Sequence, residues 1–229
     1  MGHPAIRFLG RLAAALALVA TLASETTATT NQFQLWTPAY LNLSFNDRVT
    51  GWYEVQPRFA NGISQLILRT GLGYRFYGRW SGWLGYAWVP SFDPFRTENR
   101  IYQQLLYSDD FWFGRLTSRT RFEQRWIENT SGVALRLRTL LRDQVPLTDD
   151  GRWRFVGQDE VFVNLNSPTG GPASGFDQNR FFVGINRLFG PHLNVDVGYQ
   201  LQWVNRQEPG FPDDLNHILL LQLFFDAAL

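Results

Sequence analysis

The chain has 229 residues, of which 45% are hydrophobic and 16% aromatic, yet its mean hydropathy is only −0.21, so the apolar residues are dispersed among polar ones. The one continuous apolar run, Leu12 to Ala23, is made of small residues and falls short of the roughly 20 that a membrane-spanning helix needs, which excludes a helical membrane protein. Cysteine is absent and all 21 basic residues are arginine, which excludes disulfides, thiolate chemistry, cysteine metal sites and any step that needs a lysine.

The first segment reads as an address. Arg7 and Arg11 form a positive region, Leu12 to Leu22 an apolar one, and Thr21-Leu22-Ala23 a small-residue cleavage site, the pattern of a secretory signal peptide over residues 1–23, with cleavage after Ala28 as the alternative. Removing residues 1–23 takes two arginines and no acids, leaving 19 Arg against 20 Asp plus Glu and a net charge of −1. That balance gives no reason to expect a nucleic-acid partner. Residues 24–229 then form a single domain, without a Pro/Ser-rich linker to divide it.

From residue 32 onward the hydrophobic pattern has period two, the signature of strands. In chain order, residues 32–45 form a first candidate. Val49, Tyr53, Val55 and Phe59 then alternate with Thr50, Glu54, Gln56 and Arg58. Strands are expected at residues 64–77, 80–90, 99–108 and 112–127, followed by Leu135, Leu137 and Leu141 against Arg136, Arg138 and Arg142. Trp153, Phe155, Val161, Val163 and Leu165 alternate with Arg154, Gln158, Glu160 and Asn164, and Phe181, Val183 and Ile185 with Gln178, Arg180 and Asn186. The cleanest run is Leu193, Val195, Val197, Tyr199, Leu201 and Trp203 against Asn194, Asp196, Gly198, Gln200 and Gln202, and residues 216–226 close the series.

Alternation alone does not decide which face lies inside. A soluble lipocalin-like binder buries the apolar face; a transmembrane barrel turns it to lipid. Four features favour the second. The strands are about 10 to 14 residues long, enough for a tilted strand to cross a bilayer. Short connections near Tyr77 to Arg79, Ser108 to Asp110 and Gly190-Pro191 alternate with long ones at residues 90–98, 166–177 and 206–215, as in outer-membrane barrels. Trp36, Trp80, Trp112, Trp126, Trp153 and Trp203 fall near strand ends, where aromatic girdles sit. Leu219, Leu221, Leu223 and Phe225 alternate close to Leu229, like a terminal insertion strand. The expected fold is all-β, an antiparallel up-and-down transmembrane β-barrel. Eleven candidates are visible, and because bacterial single-chain barrels take even numbers, about 12 strands are expected, with 10 as the alternative.

The polar faces carry the chemistry. Arg115, Arg119, Arg121, Glu123 and Arg125 share one parity, the next strand adds Arg136, Arg138 and Arg142, and the two after it add Arg154 and Glu160, then Arg180. If consecutive strands pair, nine arginines and two glutamates share one lumen wall, where guanidinium groups can fork onto Glu123 and Glu160. Such a wall either ties a filled interior together or attracts anions into a narrow pore or pocket. The candidate lumen cluster is Arg119, Arg121, Glu123, Arg125, Arg136, Arg138, Glu160 and Arg180.

The ordered motifs Arg119-Thr120-Arg121-Phe122-Glu123-Gln124-Arg125, Arg136-Leu137-Arg138, Val145-Pro146-Leu147, Asp159-Glu160-Val161-Phe162-Val163-Asn164, Phe176-Asp177-Gln178-Asn179-Arg180 and Gly198-Tyr199 jointly resemble the bacterial domain-of-unknown-function family 2490. The resemblance covers nearly the whole mature chain. It implies an outer-membrane barrel and no activity, substrate or catalytic residue.

The expected protein is therefore an outer-membrane barrel of a Gram-negative bacterium with an Arg-rich lumen, a structural or envelope role, or narrow passage for small anionic solutes. Its expected partners are outer-membrane lipid, lipopolysaccharide and, during insertion, the barrel-assembly machinery. Two alternatives are a secreted lipocalin-like binder and a lipid- or lipopolysaccharide-modifying hydrolase with His217, beside Asn216, as general base. Ser91, Ser131, Ser167 and Ser174 have no distinctive setting, and no G-x-S-x-G elbow is present. Asp109-Asp110, Asp149-Asp150-Gly151 and Asp213-Asp214 lack the spacing of a calcium loop, so no metal or cofactor is expected. Gly71-Leu72-Gly73 lies inside a strand and is read as relieving crowding in the wall.

Overall fold

The computed structural model describes residues 29–207 and 211–229; the signal segment expected over residues 1–23, with both of its cleavage positions, lies outside them. The described residues form twelve strands and no helix: β1 (Thr29–Trp36), β2 (Ala39–Ser44), β3 (Val49–Phe59), β4 (Ile63–Tyr77), β5 (Trp80–Phe92), β6 (Phe95–Phe111), β7 (Gly114–Ile127), β8 (Ala134–Pro146), β9 (Trp153–Asn164), β10 (Gly175–Leu188), β11 (Leu193–Val204) and β12 (Asp213–Ala228). From β2 to β12 each strand pairs antiparallel with the next, and β12 also pairs with β1 and β2, closing the sheet into a barrel.

Twelve strands agree with expectation, but the extra member is not a hidden span. β1 and β2 lie end to end as two halves of one stave. Both pair parallel with β12 in a single register that runs from Trp36↔Leu220 to Ala39↔Leu223, and both pair antiparallel with β3. The break falls at Thr37-Pro38, where proline brings no N–H to the ladder. Even there, the Thr37 amide donates to the Pro57 carbonyl at 3.2 Å and the Leu223 amide to the Pro38 carbonyl at 2.9 Å. The wall thus has eleven staves. An odd number of alternating strands brings the first and last together in the same direction, so the seam is parallel.

The connections differ from expectation at two places. Ser108 to Asp110, expected as a short connection, stay paired with Thr117 to Arg115, and the chain reverses at residues 112–113 instead. Phe92 pairs with Phe95, so the expected long connection over residues 90–98 contracts to the two residues 93–94. The inequality between the rims is carried instead by residues 165–174 and 205–212, while connections at the opposite rim, such as residues 78–79 and 112–113, have two to six residues.

Polarity is inverted relative to a soluble fold. Leu72, Leu84, Leu105, Leu141, Val197 and Leu219 are exposed on the outer face, whereas Glu54, Arg69, Glu98, Glu123, Glu160 and Asp196 are buried within. Polar outer residues are paired with one another: the Gln103 and Gln124 amides bond reciprocally at 3.0 and 3.4 Å, and the Asn179 amide donates to Asp159 at 2.9 Å. Tyr77, Trp80, Trp112 and Trp153 are exposed toward one rim, and Phe95, Trp126, Trp203 and Phe211 toward the other. Trp36 departs from the expected girdle; with only 3% of its surface exposed it points into the lumen, where Ile218, Leu220, Val156 and Phe182 pack with it.

Strand glycines make room for rings that fill the interior. A Cβ at Gly71 or Gly85 would overlap the Tyr102 ring, one at Gly73 the Trp83 ring, and one at Gly184 or Gly198 the Phe182 ring. The expected relief of crowding is therefore literal: each large ring occupies the volume that its neighbour's missing side chain leaves. Gly85→Ala, which also drives Cβ into the Thr70 carbonyl, should destabilise the barrel by about 1–3 kcal/mol as an overpacked site. Gly82→Ala, whose Cβ meets nothing nearer than 3.7 Å, should change the stability read by urea unfolding by no more than about 0.5 kcal/mol.

Candidate functional site

The strand register places like charges opposite one another on the inner face. Arg121 faces Arg138 across β7 and β8, and Arg100 faces Arg125 across β6 and β7; such pairs repel. Glutamates on the same inner face offset this. Glu98 takes both guanidinium groups of the second pair as forks, Arg100 at 2.6 and 2.9 Å and Arg125 at 2.5 and 3.2 Å.

A longer chain of ion pairs crosses four strands. Asp177 accepts from Arg136 at 3.2 Å, and Arg136 donates to Glu123 at 2.7 Å. Glu123 also accepts from Arg138 at 2.9 Å, whose other nitrogen donates to Glu160 at 2.8 Å. Glu160 accepts from Arg119 at 2.6 Å and lies 4.0 Å from Arg180. Arg121 stands 3.9 Å from Glu123 and donates its close hydrogen bonds to the Gln104 side-chain carbonyl oxygen, at 2.6 and 2.9 Å. Of the eight cluster residues expected from sequence, seven meet here in one network; Arg125 joins Glu98 instead.

The pattern had also hidden an opposite wall. Glu54 on β3 pairs with Arg69 on β4, and Glu98 with Arg100 on β6. Their signal was present in the sequence as the same period-two parity, in strands whose polar faces carry fewer charges. Arg154, one of the nine arginines expected on the wall, sits at the rim and donates to the Gly151 carbonyl at 3.1 Å.

Between the walls lies a cavity of about 540 Å³ that runs along most of the barrel, from Arg125 and Glu98 near one rim to Arg115 and Ser108 near the other. Eleven arginines line it. Among the described residues, seven carboxylates lie within 4.0 Å of those arginines: Glu54, Glu98, Asp110, Glu123, Glu160, Asp177 and Asp196. The lumen therefore carries a surplus of four positive charges. Aromatic faces share the load, with Arg121 4.2 Å from the Tyr102 ring centre and Arg138 4.5 Å from that of Phe162, a favourable contact for a cation.

His217 lies on the outer face. Its Nδ1 is 2.5 Å from the Tyr199 hydroxyl, its Nε2 is 3.1 Å from Asn31 Oδ1, and its ring stacks on Phe33. Both ring nitrogens are engaged by these neighbours. Ser91 accepts from Gln65 and Ser167 from the Ser174 amide, so these serines bond away from the histidine. Among the described residues no group of His, Asp and Glu is arranged to hold a metal ion.

Because Glu123 is 1% exposed and bound by two arginines, Glu123→Gln should cost about 3–5 kcal/mol, the penalty for leaving buried charge without its partner. Urea unfolding followed by tryptophan fluorescence reads that loss, and Asp150→Asn in the exposed 147–152 connection should leave the midpoint unchanged.

Comparison with known proteins agrees with the ordered motifs. An uncharacterized protein of Methylorubrum extorquens is 39% identical over 227 residues, covering 96% of this chain and 98% of the relative. Residues 33–211 match the family model described as a protein of unknown function, DUF2490, a span that runs from the parallel seam through the whole arginine wall. The chain belongs to the DUF2490 family.

Proposed function

We propose that the protein is an outer-membrane β-barrel of a Gram-negative bacterium whose arginine-lined lumen gives narrow passage to small anionic solutes. The observation that carries the reading is the inverted polarity: leucine, valine and aromatic side chains cover the outside while the charges lie within. In water such an exterior would be an aggregation surface; against lipid it is the favourable one. Spanning strands of 11 to 17 residues exceed the roughly 9–11 that a tilted strand needs to cross the hydrocarbon layer. The exposed aromatics toward both rims fit the two interfaces.

Selectivity follows from the lumen. Eleven staves lie between the eight of a filled barrel and the 16 or more of an open porin, which suits passage of small solutes past side chains. Four uncompensated positive charges along that path favour anions over cations. Detergent-extracted protein should migrate faster on a gel before boiling than after. In planar bilayers it should give small conductance steps with an anion-favouring reversal potential, and Arg121→Gln should lower that preference. Full solubility in buffer without detergent would overturn the membrane reading. A silent bilayer from heat-modifiable protein would instead assign the barrel a structural role in the envelope.

A further inference from the structure

We infer that the lumen holds a specific binding site for a doubly charged oxyanion, the phosphoryl group of a small solute, built around Arg58, Trp36 and Arg180. Arg58 is the one cavity-lining arginine with no carboxylate within 4.0 Å among the described residues. Its acceptors are neutral, the Gln65 carbonyl oxygen at 2.8 Å and, with the Gln56 amide turned so that its nitrogen donates to Glu54, the Gln56 oxygen at 3.2 Å; its guanidinium carbon lies 3.7 Å from the centre of the Trp36 ring. Arg180 approaches the same indole, 5.0 Å from its centre, and also lies 4.5 Å from that of Phe162. Its close acceptor is again a glutamine, Gln178 at 3.1 Å. The nearest carboxylate, Glu160, is 4.0 Å away and already accepts from Arg119 and Arg138.

Two cations brought to one aromatic ring, each held by an uncharged amide oxygen, are oriented without being neutralised. Gln65 and Gln178 fix the guanidinium groups, and the indole lies within 5.0 Å of both. A guanidinium group presents several N–H donors in one plane, a geometry that matches the oxygens of phosphate. Arg121 shows the same design: its carbonyl partner is Gln104, and its buried Nη1 has no hydrogen-bond partner. Three arginines thus lack a close carboxylate, whereas Arg100, Arg125, Arg136 and Arg138 each have one within 2.9 Å. A cavity of about 540 Å³ is within the range of small-molecule sites and far exceeds a bare ion, and Trp52, Trp83 and Phe224 on its lining offer faces for an attached organic body.

This inference rests on the lumen being open to solutes, and binding is separable from conduction. Inorganic phosphate and glucose 6-phosphate are titrated calorimetrically into the full chain in zwitterionic detergent, with potassium chloride of equal ionic strength as the reference. Saturable binding of both phosphates is expected. Arg58→Gln and Arg180→Gln should each weaken it about tenfold or more, the loss of a charged hydrogen bond, while keeping heat-modifiable migration. Arg152→Gln, on an exposed connection, should bind as the parent does. Failure of heat-modifiable parent protein to bind either phosphate would overturn the site even if its conductance were anion-selective. Equal affinity in Arg58→Gln and the parent would overturn it as well. Binding that Arg58→Gln abolishes in a barrel silent in bilayers would uphold the site and remove the passage. Lipid A phosphate in mixed micelles is the last arm; binding of lipid A without either soluble phosphate would overturn a solute site.

Discussion

The interior depends on carboxylates that are each shared between two arginines. Glu98 holds Arg100 and Arg125, Glu123 holds Arg136 and Arg138, and Glu160 holds Arg119 and Arg138. An ion taken from water costs several kcal/mol, and a single partner seldom returns it. A glutamate gripped by two arginines has its oxygens satisfied by charged donors, and each guanidinium group keeps donors for a second acceptor. The result is a belt of ion pairs running across β6 to β10, perpendicular to the strands, that links staves already joined by their backbones. Phe162 sits among these arginines with Arg136, Arg138 and Arg180 around its ring, so one aromatic side chain serves as an inner support for three cations.

The other half of the lumen is organised by volume. Gly71, Gly73 and Gly85 give up side chains so that Tyr102 and Trp83 can enter, and Gly184 with Gly198 does the same for Phe182. Tyr102 then donates its hydroxyl proton to the Thr70 carbonyl at 3.1 Å and offers its ring to Arg121. Packing and charge are thereby coupled: the glycines that admit the ring also set where an unneutralised guanidinium group can rest.

Much of this was legible in the chain. Period-two alternation is a direct image of a wall with two unlike faces, so strands such as Leu193–Val204 stand out from sequence alone. The meeting of Glu123 with Arg136 follows from parity once consecutive strands pair. Three features were less legible. Position at a strand end cannot separate Trp36 in the lumen from Trp126 at the rim; parity does, because Trp36 alternates with Phe33 and Leu35 on the side of Gln34, while Trp126 lies opposite Arg125. The connection at residues 93–94 looks long in sequence because Pro90, Asp93 and Pro94 resemble loop chemistry, yet Val89 to Phe92 remain paired with β6. Division of the first stave at Thr37-Pro38 also escapes a count of alternating runs, since the break leaves the register untouched.

The parallel seam fixes where the ends of the chain stand. Thr29 pairs with Asp213, beside the rim of long connections, whereas the Leu229 amide donates to the Ser44 carbonyl beside the opposite rim. A barrel with an even number of staves returns its end to the side where it began, so attachments at the two termini share one compartment. With eleven staves the described chain enters at one mouth and leaves at the other. A group joined ahead of Thr29 and another joined after Leu229 are held apart by the full height of the wall, so the fold acts as a rigid spacer between them.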